Sequence, residues 1–455
     1  MSKPFLFLML MLNACLFAQK IEIKWDQPRS RKMIGEDSKG NFIYSPEAVD
    51  NIFIKMKGGL FQSSKYIKTE NHNYAVVYGD SKTPKAWQFY FLELDDKEKT
   101  RGAKLLLSTD FNSKYTGGVA NYNASGVFLS ENKKTLLVIP RSGFYVSKEP
   151  ASLNLNIYDE KFNPIWKKEQ EFPLKGMEVK FVDALVTNSG KVILLSKSDK
   201  LGKIGKKELG FYYQVWEVSS DGMKQTKLDF GLDVQPVSVK ISQLDDENIV
   251  VAGSYNDSNE KDFSIGTFAA KISLNNCEVT AKKTYPYNLS AEKWRSLGIF
   301  GNRCLDLIKL GNDELVLVSD VEITDPSQHN ASIGTSRNKV LFSFNNNLEK
   351  IFETVIESYF RAYYGTTIGA FKWRDNILLL YSKMPINTRD YTFNAALIDK
   401  SGKVIQEKDL KIYDADCPYY PGEEIQLEEN KIVVQGEDRS LGAREKKVYG
   451  LVSIR

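Results

Sequence analysis

The feature that most constrains this chain is a unit of four short strands between Lys180 and Phe230. An unbroken apolar run from Val192 is typical of a strand that is buried on both faces. The segment from Tyr213 alternates apolar and polar residues, as a half-buried strand does. Tight turns at Asn188-Ser189-Gly190 and Ser220-Asp221-Gly222 separate the strands. Because one such sheet cannot bury both of its faces alone, the unit predicts a fold of stacked copies.

Copies of this unit follow one another along the chain. The apolar second strand recurs every 55 to 66 residues, and each copy follows a polar turn. These strands begin at Tyr74, Leu136, Val192, Ile249, Leu315, Ile377 and Ile432. No stretch rich in Pro, Gly or Ser interrupts the series, so we expect one domain made of about seven sheets.

The seventh unit lacks an outer strand, because its third strand runs to the last residue, Arg455. Two strand-like segments near the N-terminus could fill that position, Ile21–Trp25 and Ile52–Met56. We expect Ile52–Met56 to do so, since the next strand, near Tyr66, follows it after a short turn. A sheet completed in this way leaves no open edge for aggregation.

The chain resembles a β-propeller of the kind common among exported bacterial proteins. The four-strand period and the N-terminal closure carry this resemblance, which implies an all-β fold with about seven blades. Trp25-Asp26 stands alone rather than recurring in each unit, and Ser219-Ser220-Asp221-Gly222 lacks the downstream Trp of a sialidase-type Asp box. The resemblance therefore implies a fold and no family's catalytic residues. A pair of β-sandwiches is the alternative fold, which the even period disfavours.

The first 18 residues have the features of a secretory signal peptide, namely Lys3, an apolar core and small residues ending at Ala18. We expect cleavage after Ala18, which leaves residues 19–455 as a single propeller domain. The alternative is a lipoprotein anchored at the outer membrane through Cys15, because Leu12-Asn13-Ala14-Cys15 is similar to a loose lipobox. No later apolar run is long enough for a membrane helix, so we expect a periplasmic or secreted protein.

Residues with the usual catalytic chemistry are scarce. The chain has two histidines, His72 and His329, and it contains no nucleophile, redox or nucleotide-binding motif. The formal net charge of +4, with both signs interspersed, gives no reason to expect nucleic acid. Export leaves Cys277, Cys304 and Cys417, which we expect to be free and mostly buried thiols. The sequence predicts no catalytic residue, no metal and no cofactor.

Aromatic and arginine residues cluster in segments that a propeller would place on its top face. There the outer strand of one blade connects to the inner strand of the next. A flat ring beside a guanidinium suits a sugar, a peptide or a partner protein. Packing between blades is the alternative role of each ring, but the clustering in successive loops favours a site. The candidate ligand-binding residues are Tyr115, Trp294, Arg295, Arg303, Tyr359, Arg361, Tyr363, Tyr364, Tyr419 and Tyr420.

These observations predict an exported, non-enzymatic binding or scaffold protein of the cell envelope, whose partner is an unknown protein or glycan. The alternative is a carbohydrate- or peptide-processing enzyme with acids such as Asp414, Asp416 and Glu423 in the propeller funnel. The enzyme requires two carboxylates within catalytic reach of each other, beside the aromatic residues. A solvated acidic loop is the simpler interpretation of that cluster.

Overall fold

The structure is a computed structural model in which the described residues form β-strands and turns. No membrane-spanning helix occurs among those residues. They fall into two compact units, one of residues 45–357 and one of residues 1–44 with 358–455. The structure describes residues 21–25, 33–36, 42–44, 62–68, 73–82, 85–94, 100–110, 126–139, 151–173, 177–200, 211–231, 234–256, 264–287, 299–311, 313–324, 335–356, 359–360, 368–383, 392–410, 425–428, 431–438 and 446–454.

Three short strands precede the repeated sheets. They are β1 (Ile21–Trp25), β2 (Met33–Glu36) and β3 (Phe42–Tyr44). Strands β2 and β3 pair with each other in antiparallel fashion, whereas β1 joins a sheet at the other end of the chain. The first and last parts of the sequence therefore belong to one unit.

Five antiparallel sheets, which we call blades 1 to 5, fill the unit of residues 45–357. Each is a meander of four strands in chain order. The strands are β4 (Gln62–Lys68), β5 (Asn73–Lys82), β6 (Lys85–Leu94), β7 (Thr100–Asp110), β8 (Gly126–Leu129), β9 (Thr135–Ile139), β10 (Ala151–Asp159), β11 (Pro164–Phe172), β12 (Met177–Val186), β13 (Val192–Lys200), β14 (Phe211–Val218), β15 (Met223–Leu228), β16 (Gln235–Gln243), β17 (Asn248–Asn256), β18 (Ser264–Ser273), β19 (Glu278–Pro286), β20 (Ile299–Leu310), β21 (Glu314–Thr324), β22 (Thr335–Asn345) and β23 (Lys350–Ile356).

Two further antiparallel sheets, blades 6 and 7, belong to the other unit. Blade 7 has three strands from the end of the chain and takes β1 as its fourth. Strand β24 (Tyr359–Phe360) precedes these sheets in sequence and is part of neither. The strands of the two sheets, besides β1, are β25 (Ile368–Trp373), β26 (Asn376–Lys383), β27 (Thr392–Ile398), β28 (Val404–Asp409), β29 (Ile425–Glu428), β30 (Lys431–Asp438) and β31 (Lys446–Ile454). Seven successive four-stranded meanders, the last completed from the N-terminus, make the chain a β-propeller, as the sequence predicts.

The observed closing strand differs from the predicted one. Strand β1 pairs with β31, from Ile21 opposite Ile454 to Trp25 opposite Gly450. The predicted closing strand, Ile52–Met56, lies outside the described residues. Ile21 is fully buried in the core of blades 6 and 7, and its amide donates to Gln406 Oε1 at 3.3 Å. This burial offsets the cost of the longer connection, because the entropy of loop closure grows only slowly with loop length.

Most of the apolar core lies between neighbouring blades rather than within any one of them. Between blades 2 and 3, Leu137 and Leu155 pack with Leu194 and Trp216. The indole N–H of Trp216 donates to Ser196 Oγ at 2.8 Å, so this buried donor is satisfied. Similar clusters join blades 1 and 2, 3 and 4, 4 and 5, and 6 and 7. A blade is therefore stable only beside its neighbours.

A recurring polar turn joins the third and fourth strands. In blade 6, Asp399 Oδ1 accepts the amides of Ser401 at 2.8 Å and Lys403 at 3.0 Å. Asp159 in blade 2 and Asn345 in blade 5 accept equivalent pairs of amides. Burial, the largest single influence, raises the pKa of Asp399, but these hydrogen bonds and the Lys403 charge outweigh it and leave the pKa below its ordinary value.

Candidate functional site

Three consecutive inner strands carry an ionisable residue at the same level of the ladder. The first strands of blades 3, 4 and 5 lie beside one another, as inner strands of a propeller do. We call Asp183, Lys240 and Asp306 the inner charged row. Each is preceded by an irregularity in strand register, which releases backbone amides from the ladder. Their partners on the second strands occupy equivalent positions, Leu195, Ala252 and Val318.

Direct hydrogen bonds fix these strands relative to one another. The amide of Ile241 in blade 4 donates to Asp183 Oδ2 in blade 3 at 3.2 Å. The amide of Cys304 in blade 5 donates to Ser238 Oγ in blade 4 at 2.9 Å. Lys240 and Asp306 follow the two members of this second link on strands that are in contact, and Lys240 is near enough to lower the pKa of Asp306.

Asp183 holds blades 3 and 4 together. Its Oδ1 atom accepts the amide of Ala184 at 3.0 Å, while its Oδ2 atom accepts the amide of Ile241. Burial raises the pKa of this carboxyl, and the charge of Lys240 together with the two amides opposes that effect. Because both oxygens are engaged by backbone, the role of Asp183 is structural.

Asp306 has a different environment, although it occupies the equivalent position. Its Oδ1 atom accepts the amide of Leu307 at 2.8 Å, and its side chain is exposed to water. Surrounding protein nevertheless raises the pKa of the carboxyl by desolvation, and Lys240 lowers it while Asp183 adds to the rise. Asp306 is therefore a carboxyl that water reaches although protein lies close around it.

One acceptor and one cation of the inner charged row are available to a ligand. Counting only residues that the structure describes, neither Asp306 Oδ2 nor the Lys240 ammonium has a hydrogen-bond partner or an ion pair. The side chain of Lys240 is half-buried, so its charge is only partly hydrated. Partly desolvated polar groups without partners gain most from a ligand that satisfies them.

The far end of the same inner strands is closed by polar contacts between turns. Asn188 Oδ1 in blade 3 accepts the amide of Asn132 in blade 2 at 3.0 Å, and Asn188 Nδ2 donates to Asp246 Oδ1 in blade 4 at 3.1 Å. Lys309 Nζ in blade 5 reaches Glu131 Oε1 in blade 2 at 2.8 Å. These contacts link blades 2 to 5 at the end where first strands turn into second strands.

Most of the candidate residues from the sequence lie outside the described residues. For the two that the structure describes, only the position on a strand is given. Arg303 lies on β20 opposite Asp320, and Tyr359 lies on β24. The candidates outside are Tyr115, Trp294, Arg295, Arg361, Tyr363, Tyr364, Tyr419 and Tyr420. The acids of the predicted funnel, Asp414, Asp416 and Glu423, are also outside, so both predictions stay predictions.

The sequence-based prediction missed the inner charged row. Its signal is present in the first strands KFVDALV, SVKISQL and RCLDLIK, where a charge interrupts an apolar strand. Aligning the seven units on their second strands brings Asp183, Lys240 and Asp306 to the same position. Blades 2 and 6 have Gly126 and Gly369 there, so the charges are not required by the repeat itself.

The two described cysteines are free and buried, as predicted. Burial raises the pKa of Cys277 to about 11, and Glu217 contributes. Burial also raises the pKa of Cys304, whose Sγ lies 3.3 Å from the carbonyl oxygen of Ser238. A thiol that stays protonated is a poor nucleophile, so both cysteines are packing residues. Cys417 lies outside the described residues.

The described part of the chain also contains no cluster of three or more His, Cys, Asp or Glu that could hold a metal.

The opposite pKa shifts of Asp306 and Asp399 predict opposite effects of charge removal on stability. Because the pKa of Asp306 is raised in the fold, its ionisation lowers stability as pH rises above about 3.9, the unfolded value. Asp306→Asn is therefore expected to be more stable than wild type at pH 7 and equal to it near pH 3. Asp399→Asn is expected to be less stable at pH 7, with the difference vanishing as pH falls.

Thermal unfolding of the three proteins between pH 3 and pH 8 measures both effects. The Asn345 turn shows that an asparagine supports the same backbone bonds, so Asp399→Asn changes charge with little change of turn geometry. If both substitutions changed stability in the same direction at pH 7, the environments assigned to Asp306 and Asp399 would be wrong.

Comparison with known proteins identifies no family for this chain. No protein-family model and no curated protein matches the chain. Similar solved structures include polysaccharide lyase Uly1, with 8% identity and a TM-score of 0.46, covering 85% of this chain and 89% of that chain. The β-propeller domain of the Trilobed protease from Pyrococcus furiosus has 12% identity and a TM-score of 0.36, covering 86% and 96%. The N-terminal domain of Nup159 has 9% identity and a TM-score of 0.39, covering 95% of each chain. Likenesses this distant decide neither a family nor a function. The seven four-stranded sheets identify the chain as a β-propeller, and its function is argued from its own residues.

Proposed function

We propose that this protein is an exported binding or scaffold protein of the cell envelope that takes a polar ligand, or a polar segment of a partner, at the inner charged row. One observation carries the proposal. Asp306 Oδ2 and the Lys240 ammonium are an acceptor and a donor on adjacent inner strands, and both lack partners among the residues described. A few convergent polar groups without partners are a usual feature of a ligand site.

The ligand would enter from the top face. The polar contacts from Asn132 through Asn188 to Asp246, and from Lys309 to Glu131, occupy the opposite end of blades 2 to 5. The aromatic and arginine residues predicted from the sequence fall in segments that lead to the inner strands, where rings could cover a bound ligand. Export of the protein, with or without a lipid on Cys15, remains part of this proposal and is tested separately by the mass of the mature N-terminus.

Binding without turnover is favoured because backbone amides occupy both oxygens of Asp183 but only one oxygen of Asp306. General acid–base chemistry uses two groups that both reach the substrate. Asp183 is held by the amides of Ala184 and Ile241, and the strand that carries Lys240 lies between it and Asp306. This leaves one accessible carboxyl in the row. A carbohydrate- or peptide-processing enzyme is the second candidate, because the raised pKa of Asp306 suits a general acid.

A binding and turnover screen of the purified mature protein tests the proposal. Glycans, peptides and envelope extract are offered to wild type, Asp306→Asn and Lys240→Met. The controls Asp221→Asn and Lys400→Met remove the same charges from exposed turns. We expect binding that the two inner variants lose and the controls keep, with the ligand recovered unchanged. Ligand that is cleaved by wild type and not by Asp306→Asn would establish the enzyme instead. Equal binding by all five proteins would refute the site.

The loop residues need a variant of their own. Replacing Arg361, Tyr363, Tyr364 and Tyr420 by alanine is expected to weaken the same binding while the unfolding temperature stays close to wild type. Unchanged binding would remove these residues from the site. A large loss of stability would assign them to packing between blades.

A further inference from the structure

The inner charged row offers a ligand two opposite charges at one level. Lys240 lies on β16 and Asp306 on β20. The hydrogen bond from the Cys304 amide to Ser238 Oγ, at 2.9 Å, fixes the position of these two strands relative to each other. A cation on one strand and an anion on the next would be expected to form an ion pair with each other. Among the described residues they form no ion pair, so both charges stay available to a ligand placed between them.

Asp183 does not compete for that space. Its two oxygens accept the amides of Ala184 and Ile241, which turns the carboxylate towards the backbone. The groups left for a ligand are therefore one carboxylate oxygen and one ammonium. Lys240 lowers the pKa of both carboxyls, and the charge of Asp183 adds to the rise in the pKa of Asp306.

The chemistry of the ligand follows from these two free groups. A neutral sugar could donate a hydrogen bond to Asp306 and accept one from Lys240. In each of these hydrogen bonds only the protein group would carry a charge. An ammonium on Asp306 and a carboxylate on Lys240 make bonds that are charged on both sides, which are shorter and stronger. Partial desolvation of Lys240 and Asp306 increases this preference, because an ionic partner replaces lost hydration.

We propose that the inner charged row binds a small zwitterion, an amino acid or short peptide whose free ammonium lies on Asp306 and whose free carboxylate lies on Lys240. This inference rests on the proposed function and names the ligand class of the same site. A ligand with only one of these charges leaves the other protein group unpaired. The site would then discriminate against blocked peptides more strongly than against changes of side chain.

Calorimetric titration with blocked and unblocked peptides tests the assignment. The probes are dipeptides with glycine, leucine or phenylalanine at each position. Each is used free, N-acetylated, C-amidated and doubly blocked, with cellobiose as a neutral sugar. We expect wild type to bind free dipeptides, and each single block to weaken binding at least about tenfold, the loss of one charge-assisted bond. The controls Asp221→Asn and Lys400→Met are expected to behave as wild type.

The two variants identify which protein side chain contacts the ammonium of the peptide and which contacts its carboxylate. In Asp306→Asn, acetylation is expected to cause little further loss, whereas amidation still weakens binding. In Lys240→Met the pattern is reversed. Equal binding of all four forms by wild type, or the same penalty for acetylation in Asp306→Asn, would overturn the inference.

The remaining outcomes separate the two proposals. Binding of cellobiose or another glycan that depends on Lys240 and Asp306, without binding of any dipeptide, would overturn the zwitterion and keep the site. No binding by any probe, together with no capture from envelope extract, would overturn both.

Discussion

Replacing Lys339 by methionine is expected to lower the free energy of unfolding by about 3–5 kcal/mol. Lys339 on β22 lies directly opposite Asp320 on β21, and its Nζ is 2.8 Å from Asp320 Oδ1. The lysine side chain is 0% exposed and the aspartate side chain 5%. Loss of the ammonium leaves the Asp320 carboxylate buried without this counter-charge, which is costlier than a lost surface pair. Urea unfolding at pH 7 gives the difference.

Two further variants show whether burial causes this effect. Lys339→Met combined with Asp320→Leu removes both charges and is expected to recover most of the loss, since an apolar pair of similar size often equals a buried ion pair. Lys350→Met breaks the partly exposed pair with Glu353, at 2.6 Å, and is expected to cost about 1 kcal/mol or less. If Lys339→Met alone lowered the free energy of unfolding no more than Lys350→Met does, the burial assigned to the Lys339–Asp320 pair would be wrong.

Replacing Gly253 by alanine is expected to lower the free energy of unfolding by about 3 kcal/mol, the upper part of the range for overpacking. A Cβ on Gly253 would lie 2.0 Å from the carbonyl oxygen of Ser238 and 3.0 Å from the ring of Phe268. The clash is with backbone, so no side-chain rotation relieves it. Ser238 also links blades 4 and 5 through Cys304, so its displacement is expected to disturb Lys240 and Asp306 as well.

Gly222→Ala is the matched control. Nothing lies within 4 Å of a Cβ at Gly222, and its φ is outside the left-handed region. The change is expected to alter the free energy of unfolding by less than about 0.5 kcal/mol. Thermal unfolding of both variants, with binding of a dipeptide by each, measures stability and site together. Equal stability of the two variants would show that the backbone at Ser238 is freer than the structure describes.

The repeated sheets could be predicted from sequence because their second strands are buried on both faces. Every observed second strand begins within one residue of its predicted start, for example β13 at Val192 and β17 at Asn248. Turn residues such as Asn188-Ser189-Gly190 add an independent signal, and Gly190 has a φ of 80° there. Periodicity and turn chemistry therefore suffice for the number and order of the sheets.

The closing strand is harder to predict, because two segments near the N-terminus have strand-like patterns. Ile21–Trp25 and Ile52–Met56 both place apolar residues at every second position. Proximity to the next strand favoured the second segment, yet proximity has a small effect on free energy. Burial of Ile21 against blades 6 and 7 favours the first segment, and that packing is invisible in the sequence.

The site could be predicted only in part, for a physical reason. Aromatic residues in loops stand out in a sequence, whereas a single charge within an apolar strand resembles an ordinary edge residue. Asp183 and Asp306 occupy equivalent positions, but one is held by two amides and the other by one. That difference depends on the neighbouring strand, so it follows from the packing of blades rather than from local sequence.

Titration of the Asp306 carboxyl by carbon NMR, with and without a dipeptide at saturating concentration, tests the inner charged row most directly. The resonance is assigned by its loss in Asp306→Asn. We expect a pKa above the ordinary value in the free protein, because surrounding protein desolvates the carboxyl, and a fall in the pKa when the ligand ammonium binds beside it. A pKa at the ordinary value that the dipeptide leaves unchanged would contradict the inner charged row as the ligand site.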